Sequence, residues 1–493
     1  MNKLRAVVFV LGISFIPVAG AGTPAIAIIT QDQAPLRAAP RDSARPHAVL
    51  WQGEAVEVRG ERMDYLQVYD HRRERAGFVR AGQLRRFMLT PEEAPELLAV
   101  VRHLRGTPGA ESLGIGFAAA YVQAAPAEML NGEDGIQVLD ALGMFADRLA
   151  QRASSGTLPN KAAQTALSAH LDVATRYGVT FNTHERDGRV QICYDGDAFR
   201  RVLAMRATPE QRARAALGLT RQECVAAGAG PLERKAIDEW RAEVLDRVEV
   251  SALPGYLKNR VLMRRAGVWS SLAYQRIRKG EAADVAANRA ITELAGVAKA
   301  ELTDDDLLAY NDAAMRVSAS RWAATPVAAG PKVRSPSLVT EPGQPGETCV
   351  SLVDTKNGAA RTLARRCTFS VVWTNSASLN REGTALAVAV QPMDTWRELW
   401  VFVKEADGWT LRVLPPAATH PDVGYAELAG WVPGGKQMLV AREAKGEGKY
   451  RRNFELTRLD TLAIERQASD ASIMGSFQRW QDPAWKRQTL SLR

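Results

Sequence analysis

The chain has 493 residues, enough for two to four domains with their own cores, and 46% hydrophobic with 24% charged residues is ordinary globular composition, which excludes collagen, coiled coil and wholesale disorder. Lys and Arg number 64 against 55 Asp and Glu, and the resulting +9 suits an anionic surface but falls short of a nucleic-acid binder. No catalytic or cofactor motif stands out, so no cofactor and no enzymatic activity are expected.

The chain opens with Lys3 and Arg5, an apolar run from Ala6 to Ala19, and small residues in Ala19-Gly20-Ala21 and Ala25-Ile26-Ala27. This is the pattern of a secretory signal, assigned to residues 1–27. The run is too short for a membrane span, which needs about 20 apolar residues. No later stretch is long and apolar enough, so no integral span is expected after cleavage. Losing Lys3 and Arg5 lowers the net charge from +9 to +7. The expected location is periplasmic or secreted, at the cell envelope.

Export favours disulfides for the four cysteines. Cys193 and Cys224 lie in one region and Cys349 and Cys367 in another, so local pairs are expected. Opposed residues of an antiparallel hairpin have a constant sum of residue numbers. For Cys349 and Cys367 that sum places the bend at Asp354–Ala359, with Gly358 at the left-handed position of a three-residue loop. Zinc is disfavoured, since no Cys-x-x-Cys occurs and six histidines are scattered along the chain.

Residues 28–88 read as short strands, with alternation in Glu54–Val58 and Tyr65–Val68 and turn signals at Gly53, Gly60 and Asp64. Leu36-Arg37-Ala38-Ala39-Pro40, Leu50-Trp51-Gln52-Gly53-Glu54-Ala55-Val56-Glu57-Val58, Tyr65-Leu66-Gln67-Val68, Gly77-Phe78-Val79 and Leu84 follow one another in an order that resembles the bacterial Src-homology-3 family. The resemblance implies a small five-stranded barrel binding wall polymer or peptide. Tyr65 stands where that family more often has Trp.

From 89 to 325 helical signals dominate. Thr90-Pro91-Glu92-Glu93, Thr208-Pro209-Glu210-Gln211 and Thr303-Asp304-Asp305-Asp306 are helix starts. Amphipathic patterns run over Gly135–Arg152, Leu232–Val248, Tyr256–Arg278 and Ala282–Ala300. Eight to ten helices are expected, interrupted by a hairpin turning at Asp187-Gly188. Prolines at 326, 331, 336, 342 and 345 mark residues 326–348 as a linker.

From 349 to 493 strands are expected at Cys349–Val353, Thr384–Val390, Glu398–Val403, Trp409–Val413, Gln437–Ala441 and Phe454–Leu459. Leu379–Ala389 aligns with Trp431–Ala441 at an offset of 52, and both segments resemble the strand-turn-strand core of TolB-type propeller blades. A closed propeller needs about four blades or more. This region holds perhaps three, so either the sheet is open or another element closes it. The whole is a multidomain α+β protein.

Cys224 is the best nucleophile candidate, with His170 or His184 as base, but a disulfide is its commoner fate after export. Glu111-Ser112-Leu113-Gly114 lacks the glycine of a lytic-transglycosylase motif, leaving Glu111 as a surface residue of a helix start. Asp195-Gly196-Asp197 and Asp304-Asp305-Asp306 lack an alternating calcium loop and read as caps. Trp373, Trp396, Trp400, Trp409 and Trp431 are expected to pack the β domain. Arg72, Arg73 and Arg75, beside His71 and near Arg80, Arg85 and Arg86, form a basic rim, the candidate ligand-binding residues. The partners expected are peptidoglycan or an envelope protein, not nucleic acid. The alternative is a peptidoglycan hydrolase with its active site in the helical region.

Overall fold

The computed structural model describes residues 25–156, 159–186, 188–325, 335–355, 360–418, 422–446 and 448–488. The chain is a multidomain α+β protein that divides into two compact units: residues up to Thr183 with Ile192–Ala198, and His184–Gln191 with everything from Phe199 onward. The helices expected as one region over 89–325 are thereby shared between the units. Among the described residues no helix is long and apolar enough to cross a membrane.

Unit 1 begins with strands β1 (Ile26–Ile29), β2 (Ala34–Arg37), β3 (Pro46–Leu50), β4 (Ala55–Arg62), β5 (Tyr65–Asp70), β6 (Arg75–Arg80) and β7 (Leu84–Phe87). They pair antiparallel in the order β3-β2-β6-β5-β4-β1-β7. The sheet has seven strands rather than the expected five, and among the described residues its ends, β3 and β7, do not pair, so no closed barrel is seen. Gly60 lies within β4 at a register shift rather than at a turn. Ala27 is fully buried in β1 opposite Val56 and Arg86, and the Ala25 carbonyl accepts from Val58 N–H. Ile26 and Ala27, the last residues of the stretch expected as leader, form the first half of β1.

Helices α1 (Ala94–Arg105), α2 (Glu111–Ala124), α3 (Ala127–Asn131), α4 (Glu133–Ser154) and α5 (Lys161–Arg176) complete unit 1. The Thr90 capping box and Gly106 bracket α1 where expected. Helix α2 escaped the periodicity argument because it is apolar nearly all round and buried almost throughout, so it has no polar stripe to betray it. Ile28 and Phe87 of the sheet join the α1, α2 and α4 core, where Phe87 meets Phe117 edge to face at 5.7 Å. Ile28 and Phe87 thus join the sheet to the helices, while Leu36, Val56, Val68 and Val79 belong to a second core formed by the strands themselves.

A two-stranded sheet, β8 (Phe181–Arg186) with β9 (Arg189–Tyr194), forms the expected hairpin. Asp187 of its turn lies outside the described residues. The helices that follow are α6 (Asp197–Ala204), α7 (Pro209–Leu219), α8 (Pro231–Asp246), α9 (Gly255–Arg278), α10 (Asp284–Ala295) and α11 (Asp304–Ser320). Thr208 and Thr303 cap α7 and α11 as expected.

The sheets of unit 2 comprise β10 (Ser337–Pro342), β11 (Thr348–Asp354), β12 (Arg361–Thr368), β13 (Val371–Leu379), β14 (Ala385–Met393), β15 (Trp396–Glu405), β16 (Gly408–Leu414), β17 (Gly424–Trp431), β18 (Gln437–Gly446), β19 (Lys449–Arg458) and β20 (Ile464–Ala468). Strand β10 falls inside the stretch expected as linker, where it pairs with β11 along its whole length. Cys349 and Cys367 oppose and bond each other across β11 and β12, and the predicted register holds from Thr348 to Leu352 before a bulge shifts it by one. The expected turn glycine, Gly358, lies outside the described residues. Cys193 and Cys224 are each disulfide-bonded.

Strands β13 to β16 and β17 to β20 are two successive four-stranded antiparallel meanders, joined by a short parallel pairing of β15 with β17. The 52-residue repeat occupies the same place in both, the turn from first to second strand. The two turns also touch: Gly434 N–H donates to Glu382 at 2.8 Å and Trp431 Nε1–H to Ser378 Oγ at 2.9 Å. Trp373, Trp396 and Trp400 are buried, and Trp409 and Trp431 pack partly buried against the sheet cores, as expected of core tryptophans. Helix α11 lies over the joint of the meanders, its Met315 against Val423 and Tyr425. Short helices α12 (Gly475–Trp480) and α13 (Pro483–Gln488) follow β20. Their junction lies so close to β17 that a Cβ at Gly430 would stand 2.3 Å from the Trp480 carbonyl.

Candidate functional site

In unit 1 the turn after β1, the loop from β3 to β4 and the start of α2 converge with α4 and α5. Gly53 is the hinge of this arrangement. Its φ of +87° favours glycine, and a Cβ there would sit 2.3 Å from the Ser112 carbonyl, so the loop lies against the α2 backbone only because no side chain intervenes. Hydrogen bonds fix it: Gln52 Nε2 donates to Gly109 O at 2.9 Å, Ser112 Oγ to Gln52 O at 3.1 Å, and Tyr177 OH to Gly53 O at 2.7 Å.

This clamp sets a carboxylate in place. His170 of α5 is 3% exposed, and its Nε2 donates to Asp32 Oδ1 at 2.8 Å while Gln52 N–H reaches the same oxygen at 3.2 Å. His170 Nδ1 is buried and finds no partner among the described residues, so the ring's polar contribution is directed at Asp32. Burial raises the Asp32 pKa, but the His170 and Gln52 hydrogen bonds and the neighbouring charge of Arg152 outweigh it, and the group is held below the usual carboxylate range. The Asp32 side chain is 35% exposed. Arg152 is 40% exposed while pairing with buried Glu111. Trp51 stands edge to face with His170 at 6.3 Å. The arrangement offers an oriented acceptor, a guanidinium donor and an aromatic ring beside them.

The basic rim is largely committed within unit 1. Arg73 Nη1 donates to buried Asp70 at 2.6 Å and to buried Glu54 at 3.0 Å. Arg72 Nη1 donates to Asp172 at 2.7 Å, and Arg176 joins Asp172 to Glu54. Arg80 pairs with Asp42 and Asp64, and Arg85 with Glu96. Among the described residues Arg75 makes only a long bond to the His47 carbonyl, 3.4 Å, and so differs from its two neighbours in remaining open to a ligand. Arg72 and Arg73 look free in sequence although Asp172 of α5 and Glu54 of the β3–β4 loop, 100 and 19 residues away, take part of their charge.

Other candidates resolve similarly. Cys224 is disulfide-bonded and has no thiol to act as nucleophile. His184 Nε2 faces the Glu223 carbonyl at 3.0 Å. Glu111 is buried rather than a surface residue, because α2 starts beneath the clamped loop and Arg152 compensates its charge. Asp195 accepts from Asp197 N–H at the start of α6, and Asp306 pairs with Arg260, consistent with capping and charge-pairing roles. Glu347 lies beside Cys349 and Cys367, but both sulfurs are spent in the disulfide. Asp32, Trp51, Gln52 and Arg152 were missed as a group because nothing in their spacing links them.

No family model, no curated protein and no solved structure matches this chain.

Proposed function

We propose that the protein is an exported, non-catalytic binding protein of the cell envelope. Its N-terminal unit, whose strands resemble a bacterial Src-homology-3 module, holds wall polymer or peptide, and its C-terminal, blade-like sheet binds a protein partner. The carrying observation is the Asp32 carboxylate, half-exposed yet held ionised and oriented by the buried His170. Preorganisation of this kind favours a ligand over bulk water. Peptidoglycan is built of amino sugars bearing short peptides, so it offers hydroxyl and amide donors to Asp32, carboxylates and carbonyls to Arg152, and sugar faces to Trp51. Disulfide bonding of all four cysteines and the leader-like start support an oxidising destination.

Co-sedimentation of the full chain with isolated peptidoglycan tests this reading, beside a zymogram. D32N and W51A should each lower the sedimented fraction at least fivefold with a circular dichroism spectrum at the assay temperature that matches wild type, and the zymogram should show no clearing. Sedimentation indifferent to both substitutions overturns the Asp32 site. Clearing by the wild-type chain overturns the non-catalytic reading in favour of a hydrolase.

A further inference from the structure

Strand β20 pairs with β19 on one side, and among the described residues no strand pairs with its other edge. Beside it, β20 and the segment running into α12 line a groove of about 630 Å³. Arg466 and Ala468 pair with Leu456 and Phe454 of β19, and α12 sets its Phe477 edge to face against Phe454 at 5.3 Å. Across the groove stand Ile473, 72% exposed, Arg479 and Trp480, 38% exposed. Neither Arg466 nor Arg479 has an ion-pair partner among the described residues, and no acidic residue lines the groove. The segment beyond the groove is tied back to the sheet. Trp485 Nε1–H anchors α13 to buried Glu427 at 2.7 Å, and Asp482 N–H bonds the Ala429 carbonyl of β17, also at 2.7 Å.

We infer that this groove docks an extended acidic segment of a partner protein, which adds as a strand to the free edge of β20. The edge supplies unpaired main-chain donors and acceptors, which only another extended chain can match in register. The two arginines select carboxylates, and Ile473 and Trp480 take an apolar side chain between them. A second copy of this chain is a poor occupant, since symmetric pairing of two β20 edges would bring Arg466 and Arg479 of both copies together. The inference rests on the binding-protein reading but uses none of the unit 1 residues, so the two fail separately.

Fluorescence anisotropy of the full chain with a labelled peptide of alternating Glu and Val tests it. Binding should weaken as salt rises, because exposed charges are screened over about 8 Å at physiological ionic strength. The Lys-Val counterpart should not bind, and a version carrying one central proline should bind at least tenfold more weakly. The double variant R466E/R479E should lower affinity at least tenfold with an unchanged melting curve. If that variant fails to fold, R466Q/R479Q should lower affinity at least threefold. No binding of the acidic peptide at millimolar concentration, affinity indifferent to the arginine substitutions, or concentration-dependent self-association abolished by R466E/R479E would each overturn the proposal.

Discussion

Each unit places one glutamate between two arginines, and the two sites behave oppositely. In unit 1 Glu54 accepts from Arg73 and Arg176, whose side chains are 23% and 29% exposed, and Arg73 is shared with Asp70. In unit 2 Glu427 accepts from Arg321 at 3.0 Å and Arg397 at 2.6 Å, whose side chains are 5% and 0% exposed, and Trp485 donates to its second oxygen. Burial raises the Glu54 pKa, the Asp70 charge adds to the rise, and the shared Arg73 does not reverse it. Burial acts on Glu427 in the same direction, but two guanidiniums and an indole N–H reverse it and the pKa falls. Burial also pushes the Arg397 guanidinium down to about 10. What decides the sign is how many partners each carboxylate has to itself, not how deep it lies.

Glu427 does more than balance charge. Arg397 also donates to the Ser318 and Ala319 carbonyls at the end of α11, so one carboxylate ties the helices, the joint of the two meanders and the C-terminal helix together. Tyr274 OH, donating to the Pro392 carbonyl at 2.8 Å, and Ser271 Oγ, within 3.3 Å of Asp394, add further polar ties between α9 and the sheet. The clamp in unit 1 is instead a backbone contact allowed by Gly53, with ion pairs at its margin.

The largest effect should come from E427Q, which removes the carboxylate charge that two buried arginines share and should cost about 3–5 kcal/mol in chemical denaturation. E54Q should cost clearly less, and equal costs would break the comparison. The pH dependences should also differ in sign. Glu427 titrates lower folded than unfolded, so its contribution is full above an unfolded value of about 4.3 and disappears as pH falls below it. Glu54 titrates higher folded, so its contribution favours the fold at low pH and diminishes as pH rises through the unfolded value. The stability gap between wild type and E427Q should therefore widen from about pH 3 to about pH 6, and the gap for E54Q should move the other way.

G53A should come next, at about 1–3 kcal/mol, from the positive φ and the collision with Ser112 together. G82A, whose added Cβ meets nothing within 4 Å, is the control and should stay within about 0.5 kcal/mol. Similar melting temperatures for the two would show that the clamp relaxes freely.

The smallest effect sharpens the reading of the basic rim. R73Q removes a donor to two buried carboxylates and should lower stability by about 1–3 kcal/mol. R75Q, on an exposed side chain, should change stability by less than about 0.5 kcal/mol. If R75Q rather than R73Q moved the melting temperature, the division of the rim into structural and free arginines would be wrong.

Local and periodic signals were legible in the sequence. Thr90, Thr208 and Thr303 cap helices because side-chain capping involves only the next few residues. The six strands expected from 349 onward all occur, and the 52-residue offset marks two equivalent meanders, since alternation and turn chemistry are properties of contiguous chain. The register of β11 with β12 followed from the Cys349–Cys367 pairing alone. Two elements that local signals did not mark share another cause. Helix α2 has no amphipathic stripe because it is surrounded, and β10 runs through a proline-rich stretch because β11 offers it a partner.

Composition, capping boxes, alternation and cysteine number thus determined the class, most elements and the disulfide-bearing character of the protein, each being readable within a few residues or one hairpin. Only the tertiary structure decided which charges are free and which are spent. Arg73 meets Glu54 and Asp70, His170 meets Asp32 across 138 positions, and Glu427 meets Arg321 across 106. An ion pair depends on a distance of a few ångströms and on the water excluded around it, and neither follows from separation along the chain.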